Sequence, residues 1–312
     1  MKSLLNFILI SCALLMVSCS NKTGEASETT TTGDIRIGAD DNLRLITEAE
    51  IFIFETDYKR AKVRPVYGSE GDVMDLLIQD SVRLVVIGRK LTDNERSFFN
   101  SKNIHPREQK IAYDGLAFVI NKANADSTFA YDEVKALFTG KAGHWSDFDP
   151  SNSDDPIQVV FDNPRSGNAG FIKQHFGLKE LPSNCYALKS NEEVLKYVEN
   201  NPGSIGIIGS NYISDVDDSL SQSILKRIKV ARIAAADDPK ALKGYHRPYQ
   251  EYLADESYPF RREIYIISRE LGTHLGNGFI AFVTGDKGQR IILKAGLVPV
   301  VFPTRSVEII SE

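Results

Sequence analysis

The stretch that decides the fold runs from residue 34 to residue 88 and reads DIRIGADDNLRLITEAEIFIFETDYKRAKVRPVYGSEGDVMDLLIQDSVRLVVIG. Short β-branched runs alternate there with longer amphipathic segments, which predicts the order β-α-β-α-β. Its last run, VRLVVIG at 82–88, is apolar apart from Arg83 and does not alternate with polar residues, and SIGIIGS at 204–210 is likewise continuous rather than alternating. Such runs are typical of strands that are buried on both faces. We therefore expect an α/β fold with mostly parallel sheet between layers of helices.

The composition is that of an ordinary folded protein. The chain has 312 residues, of which 42% are hydrophobic and 25% are charged, with a formal net charge of -5. This length suits one large α/β domain or two lobes. Nucleic-acid binders neutralise phosphates with clustered Lys and Arg, and this chain is acidic and has no basic stripe. We therefore expect no nucleic-acid partner, whereas a small anion is still compatible with the charge because a few local donors are enough to hold one.

The N-terminus reads as an export signal. Residues 1–19, MKSLLNFILISCALLMVSC, carry one Lys, then an apolar run, then small residues before Cys19. This layout is typical of a secretory signal and is too short for a membrane span. Its end resembles the lipobox of bacterial lipoproteins, with Met16 where Leu is usual, which implies cleavage before Cys19 and acylation of its thiol. An ordinary signal peptide is the alternative, and the polar residues 20–33 are predicted to be a disordered tether.

Cysteine and histidine usage indicates neither disulfides nor metal. Besides Cys12 and Cys19 in the signal, the chain has only Cys185, which suits a small buried apolar residue better than a nucleophile. The five histidines show no zinc-ligand spacing. We expect no metal and no cofactor.

Two uninterrupted strands look like connections between lobes. They are KIAYDGLAFVIN at 110–121 and YPFRREIYIIS at 258–268. Two crossings predict a discontinuous first lobe, at 34–115 and 264–312, and a continuous second lobe at 116–263. A hinge of two strands suits closure of the lobes over a ligand.

Three segments combine a strand end, a turn of small or polar residues and a helix start. They are GADDNL at 38–43, YGSEGD at 67–72 and NPRSGNAGF at 163–171. Each places unpaired backbone N–H groups at the carboxyl edge of the sheet, where open α/β folds bind their ligands. Oxyanions suit such positions, although each turn alone is a weak signal. None of the three is a P-loop or a dinucleotide fingerprint.

Four blocks in order resemble the phosphate-binding (PstS-type) solute receptors of ABC transporters. They are the segments at 115–145, 194–213, 258–267 and 281–300, and the likeness extends over essentially the whole mature chain. The resemblance implies a two-lobed periplasmic-binding-protein fold of type II, in which two hinge strands join lobes of mostly parallel sheet flanked by helices. It implies a monomeric, lipid-anchored receptor of the cell envelope, facing the periplasm or exterior. Such a receptor captures inorganic phosphate between its lobes and delivers it to an ABC permease.

The resemblance also implies a set of ligand residues. The GSxG turn of the family is kept at 68–71, and its SGT turn appears as Ser166, Gly167 and Asn168. The first loop offers Asp40 and Asp41 where a hydroxyl is usual. The predicted phosphate ligands are Asp41, Asn42, Ser69, Glu70, Arg165, Ser166, Gly167 and Asn168.

Charged positions depart from the family pattern. The family's Arg falls on Asp162, and its acceptor carboxylate falls on Gly88, which is followed by Arg89. Arg165 either enters the cleft and neutralises the anion or lies at the cleft rim; both placements stay open. Glu70 or Asp41 is the candidate acceptor for a proton on phosphate. Sulfate carries no such proton, so an acidic site favours phosphate.

Two other functions compete with that of a receptor. A hydrolase would use Asp40 and Asp41 or Ser166, but the sequence offers no GxSxG elbow, adjacent base or metal cluster, so we expect no enzyme activity. The other alternative is an envelope sensor or adaptor with the same fold and an altered or lost ligand, which the residues at Asp40, Asp41, Asp162 and Gly88 favour.

Overall fold

The computed structural model describes residues 28–215, 217–237 and 244–303. The predicted signal segment, the acylation site at Cys19 and the first part of the predicted tether lie outside the described residues. The first strand begins at Thr32, which pairs with Arg60, so regular structure starts before the predicted end of the tether at residue 33.

Strands and helices alternate along most of the chain. The strands are β1 Thr32–Asp40, β2 Arg60–Gly68, β3 Leu84–Ile87, β4 Arg107–Asn121, β5 Thr128–Phe129, β6 Gln158–Phe161, β7 Cys185–Ala187, β8 Ser204–Gly209, β9 Ile228–Val230, β10 Arg232–Ala234, β11 Tyr245–His246, β12 Arg261–Ser268 and β13 Val298–Pro299. The α-helices are α1 Arg44–Asp57, α2 Glu70–Ile78, α3 Asp93–Ser101, α4 Tyr131–Phe138, α5 Gly167–Phe176, α6 Asn191–Asn200, α7 Ser219–Arg227, α8 Gln250–Ala254, α9 Leu275–Thr284 and α10 Asp286–Lys294. Short 3-10 turns occupy Asp41–Leu43, Trp145–Asp147 and Ser210–Tyr212.

The main sheet has the strand order β2-β1-β3-β12-β4-β8-β6-β7, and β9 and β13 also pair with β4. In its first half β1 is parallel to β2 and β3, and in its second half β6 is parallel to β7 and β8. The strands β12 and β4 between these halves are antiparallel to their neighbours. The predicted α/β fold with two lobes of mostly parallel sheet is confirmed.

One strand runs through both lobes. The 15-residue β4 pairs with β12 up to Gly115, and from Leu116 onward it pairs with β8 and β9. The strand β12 begins at Arg261 and pairs with β4 over its whole length. The exact lobe boundaries, at 115/116 and 263/264, stay a prediction.

Helices cover both faces of the sheet, as the continuously apolar runs predict. Leu84 and Val86 of β3 pack into one apolar cluster, whereas Val85 and Ile87 pack into another on the opposite face. Successive side chains of a strand point to opposite faces, so both faces of β3 are covered. None of the helices in the described part of the chain has the length and apolar run that a bilayer crossing requires.

Candidate functional site: a buried polar cluster between the lobes

Three turns of the sequence meet between the lobes. Asp40 ends β1, Ser69 directly follows β2, and Ser166 precedes α5, the helix that follows β6. These strands run parallel to their neighbours, so their carboxyl ends lie at the edge of the sheet where ligands of open α/β folds bind. A direct backbone bond joins two of the turns, because Gly71 N–H donates to the Arg165 carbonyl at 3.3 Å.

Both serines cap helices. Ser69 Oγ accepts from Asp72 N at 3.2 Å, and Ser166 Oγ accepts from Asn168 N at 3.1 Å. Each hydroxyl also donates to a nearby carboxylate, Ser69 to Asp72 at 2.6 Å and Ser166 to Asp162 at 2.5 Å. A hydroxyl has one proton. In this arrangement neither serine therefore has a donor left for a ligand unless its hydroxyl rotates.

Asn42, Asp162, Ser166 and Asn168 form, together with Asp40, a hydrogen-bonded group that we call the interlobe cluster. Asn42 Nδ2 donates to Asp40 Oδ1 and to Asp162 Oδ2, both at 3.1 Å. Asn168 Nδ2 in turn donates to Asn42 Oδ1 at 2.7 Å. All five residues are buried. The two lobes are therefore joined by the protein's own polar side chains.

Arg262 of β12 completes the cluster. Its Nη1 donates to Asn168 Oδ1 at 2.8 Å, and its Nη2 and Nε donate to Asp114 Oδ2 at 2.8 and 3.2 Å. Asp114 also accepts from Ser210 Oγ at 2.5 Å. Arg262 and Asp114 are 2% and 0% exposed, so this is a fully buried ion pair. The sequence analysis missed Arg262, whose only signal was a charged residue inside the apolar strand YPFRREIYII.

Asp40 is held in an unusual protonation state. Its Oδ2 has no hydrogen-bond partner within the part of the chain that the structure describes. Burial raises the pKa of Asp40 to about 8, and the negative charge of Glu70 adds to this effect. Burial also raises the pKa of Asp162, against the opposing hydrogen bond from Ser166. At neutral pH Asp40 is mostly a neutral carboxylic acid, which can donate a hydrogen bond.

Glu70 reaches from α2 toward the start of α5. Its Oε2 accepts from Gly88 N at 3.2 Å, and its Oε1 accepts from Arg89 Nε at 2.8 Å. A Cβ added to Gly167 would lie 2.9 Å from Glu70 Oε2 and would overlap Asp40 Oδ2. Two carboxyl groups therefore lie against the N-terminus of α5, where the sequence predicts an oxyanion.

Two predicted ligand residues lie away from the cluster. The Asp41 side chain accepts from Arg44 Nη2 at 2.5 Å and lines a different groove, which also contains Tyr212. Arg165 is exposed and donates to Asp72 at 2.6 Å and to Asp75 at 2.7 Å. Of the two placements that the sequence leaves open for Arg165, this structure has the one at the rim, where two carboxylates of α2 hold the guanidinium. Its role as a phosphate ligand stays a prediction. Asn42, Ser69, Glu70, Ser166, Gly167 and Asn168 do come together.

The charge balance of the site is acidic. Asp40, Glu70, Asp114 and Asp162 lie around one guanidinium, that of Arg262, and Arg89 pairs with Glu70. A dianion would be repelled by this many carboxylates if all of them were ionised. Among residues 28–215, 217–237 and 244–303, no group of His, Cys, Asp or Glu side chains is arranged to hold a metal ion.

Comparison with known proteins identifies the family. Residues 24–287 match the model of the PBP superfamily domain. The phosphate-binding protein PstS of Staphylococcus aureus (strain USA300) is 26% identical over 281 residues, which cover 88% of this chain and 81% of that protein. The relatives bear the names of binding proteins and transport receptors, in agreement with the expectation that the chain is not an enzyme.

Solved structures show the same fold. A phosphate ABC transporter substrate-binding protein from Clostridium perfringens, solved with bound phosphate, superposes with a TM-score of 0.71 at 20% identity, covering 86% of this chain and 100% of that one. An ABC-type phosphate transport receptor from Vibrio cholerae superposes with a TM-score of 0.64 at 18% identity, with coverages of 86% and 100%. The resemblance to PstS-type receptors is confirmed, and the chain belongs to the PBP superfamily.

Proposed function

We propose that this protein is a solute-binding receptor that captures inorganic phosphate between its two lobes and delivers it to an ABC permease. The observation that carries the proposal is the convergence of the Ser69 turn, the Ser166 turn and the N-terminus of α5 on one buried point. The partial positive charge and free N–H groups of a helix N-terminus favour an oxyanion. The names of the S. aureus and C. perfringens relatives support phosphate as that oxyanion.

The buried carboxyl groups of Asp40 and Glu70 favour an oxyanion that still carries a proton. Neutral Asp40 donates its proton to a phosphate oxygen, while the proton that phosphate keeps near neutral pH is donated to a carboxyl oxygen such as one of Glu70. Sulfate carries no proton at this pH and leaves that carboxylate facing a negative charge without a hydrogen bond. An unpaired buried charge of this kind is costly, so the site should select phosphate and arsenate over sulfate.

We expect binding to require a rearrangement at the N-terminus of α5. The carboxyl groups of Asp40 and Glu70 now occupy the space beside Gly167, so an incoming phosphate has to displace them. The lobes are already joined by the bond between Asn42 and Asp162. The free energy of binding is then only the difference between the contacts that the ligand makes and the internal contacts that it displaces. We therefore expect a weaker phosphate affinity than a cleft without these acids would have.

Calorimetry of the purified protein tests the proposal. Phosphate and arsenate should bind saturably at pH 6.5, and sulfate should not. Ser166→Ala should weaken phosphate binding by about 1–3 kcal/mol, because the hydroxyl that donates to Asp162 in this structure would rotate toward the ligand and donate to a charged group. Thr139→Ala is a matched control, since Thr139 is an exposed hydroxyl at the end of α4 that bonds only to its own helix. Absence of phosphate binding, or equal binding of sulfate, would refute the proposal.

The structure also gives a specific reason to test the sensor or adaptor function. Asp162 stands where the family has a cation, and it accepts a hydrogen bond from Asn42 of the other lobe. A sensor with a lost ligand would stay closed at all phosphate concentrations. Calorimetry and small-angle scattering together decide between the two functions: a receptor binds phosphate measurably, whereas such a sensor neither binds phosphate nor changes its radius of gyration when phosphate is added.

We further propose that the protein is a monomer held at the cell envelope by lipid on Cys19. The support is the sequence of residues 1–19, and stable anchoring requires more than one acyl chain. Replacing Cys19 with Ala should release the protein from the membrane fraction or block its processing. If membrane fractionation and intact mass are the same for Cys19→Ala and the unaltered protein, the proposed lipid anchor is wrong, and the proposal of phosphate binding still stands.

A further inference from the structure

A basic groove opens beside the interlobe cluster. Its volume is about 440 Å³, and its lining includes Gly88, Arg89, Lys90, His175, Arg261 and Arg262. The groove lies between β3 and β12 of the first lobe and α5 of the second. Its volume is within the range of small-molecule sites and exceeds what one tetrahedral anion needs.

The groove is richer in cations than the cluster. Four of its lining residues are Arg or Lys, and the one carboxylate among them, Glu263, is bound by Lys110 at 2.5 Å. The three arginines pair with carboxylates, whereas Lys90 has no ion pair in the described chain. His175 adds no charge at neutral pH, because burial lowers its pKa. An anion that enters the groove therefore lies near the ammonium group of Lys90 and near the guanidinium groups of Arg89, Arg261 and Arg262.

Several cationic groups here have unused capacity. The exposed Lys90 forms no ion pair with a described residue, and its Nζ lies 5.7 Å from the centroid of the Tyr265 ring. Arg261 stacks over Tyr113 at 3.5 Å and pairs with Glu256 at 3.1 Å, yet its Nε is buried and finds no partner in the described chain. An ammonium group alone offers three donors.

The groove adjoins the interlobe cluster at Gly88 and Arg262, and the carboxylate of Glu70 lies at this junction. Gly88 and Arg262 line the groove, and Arg262 also bonds to Asn168 of the cluster. At this junction the carboxylate of Glu70 accepts from Gly88 N–H and from Arg89 Nε. The two Nη atoms of Arg89 donate to Glu95 at 2.7 and 2.9 Å. Gly88 N–H and Arg89 Nε therefore form an anion position, which the protein fills with its own side chain.

We propose that the groove binds the second phosphoryl group of a condensed phosphate, such as pyrophosphate or a short polyphosphate. The inference rests on the proposed phosphate site and extends its ligand. One phosphoryl group lies at the N-terminus of α5, and the next replaces the Glu70 carboxylate on Gly88 N–H and Arg89, with Lys90 beside it. Charge-assisted hydrogen bonds to Arg and Lys favour the ligand with the additional charge.

Calorimetry of the purified protein with inorganic phosphate, pyrophosphate and glycerol phosphate tests this assignment. Pyrophosphate should bind about tenfold or more tightly than phosphate, as one additional charge-assisted bond allows. Glycerol phosphate, whose second group is neutral, should not share that gain. Lys90→Gln should remove most of the gain and leave phosphate binding within about twofold, because the exposed Lys90 does not contact the phosphate turns.

Lys141→Gln is the matched control, since Lys141 is exposed and does not line the groove. Phosphate binding with no gain for pyrophosphate overturns the groove assignment and leaves the proposed function intact. If pyrophosphate binds in a manner that depends on Lys90 while inorganic phosphate does not bind, the groove assignment is supported and the proposed function as a receptor for inorganic phosphate is wrong. Equal gains for glycerol phosphate, or no binding of any of the three, also overturn the groove assignment.

Discussion

The turns at Ser69 and Ser166 begin their helices in the same way and differ in the residues after the serine. In both, a serine hydroxyl caps the helix and donates to a nearby carboxylate. The first turn of α2 continues with Glu70 and Asp72, whereas that of α5 is formed by Gly167, Asn168 and small residues. Helix α2 thus places acids at its own positive end, while α5 leaves its end open.

The difference assigns opposite roles to the two turns. The open end of α5 receives carboxyl groups from the first lobe, those of Asp40 and Glu70, and only a glycine at 167 leaves room for them. At this point the second lobe thus supplies the helix end, and the first lobe supplies two carboxyl groups that lie against it. Two turns with similar sequence signals, each consistent with anion binding, therefore make different contributions to one site.

The largest effect is expected from the ion pair that holds the second turn in place. Replacing Arg262 with Leu leaves the Asp114 carboxylate buried without its cation, which should cost about 3–5 kcal/mol of unfolding free energy. Urea denaturation measures the loss. The double variant Arg262→Leu, Asp114→Leu removes the charge as well as its partner, so it should recover part of that stability; no recovery would contradict the explanation.

Gly167 and Gly71 allow a matched test of the two turns. A Cβ in Gly167→Ala meets the carboxyl groups of Asp40 and Glu70 in a closed interior, so closure should be disfavoured by about 1–3 kcal/mol. A Cβ in Gly71→Ala meets only the Arg165 guanidinium, 2.6 Å from its Nε, and an exposed side chain can move aside, with a cost within about 0.5 kcal/mol. Scattering should show a more open Gly167→Ala protein and an unchanged Gly71→Ala protein.

The pH dependence of phosphate binding tests the role of Asp40. Because the pKa of Asp40 is raised to about 8, the carboxyl is a neutral donor below that pH and becomes a repelling anion above it. Phosphate affinity should therefore fall as the pH rises through 8. In Asp40→Asn this step should be missing, and the titration of phosphate itself cancels when the two proteins are compared by calorimetry.

Glu50 provides the control for that experiment. Its carboxyl is buried in α1, accepts no hydrogen bond in the described chain, and has a pKa that burial raises to about 9. Glu50→Gln should leave the pH profile of phosphate binding unchanged. If Glu50→Gln alters the pH profile as much as Asp40→Asn does, the profile reflects the titration of buried acids throughout the first lobe, and its assignment to Asp40 is wrong.

The smallest effect is expected at the rim. Arg165→Ala removes an exposed pair with Asp72 and Asp75, which is worth about 0.2–1 kcal/mol and is weakened by salt. Phosphate affinity should stay close to that of the unaltered protein at both low and high salt. A large, salt-insensitive loss would instead place the guanidinium inside the cleft when phosphate is bound.

The sequence predicts the fold and the meeting of the turns because both follow from local rules. Alternating strand and helix patterns fix a parallel sheet, and the carboxyl ends of its strands bring Asn42, Ser69 and Ser166 to one edge. The role of Arg262 is set by Asp114, which is distant in sequence and reached only through the pairing of β12 with β4. No local pattern reports such a contact.

The rim position of Arg165 has the same kind of cause. Its neighbour in sequence is Ser166, but its partners are Asp72 and Asp75 of a helix on the other side of the cleft. The direction of a long side chain depends on the charges that surround it once the chain has folded. The sequence predicts that Arg165 lies next to the site, but it does not predict whether the side chain points into the cleft or toward its rim.

The continuous strand β4 has a mechanical consequence. Since it is paired with β12 up to Gly115 and with β8 from Leu116, any opening of the cleft turns one half of this strand relative to the other. Asp114 lies next to that change of partner, close to the axis of the rotation, where displacements are smallest. Its distance to Arg262 should therefore stay nearly constant while the turns at Ser69 and Ser166 separate. The buried ion pair is thus a fixed point from which distance probes on the two turns can measure the opening angle.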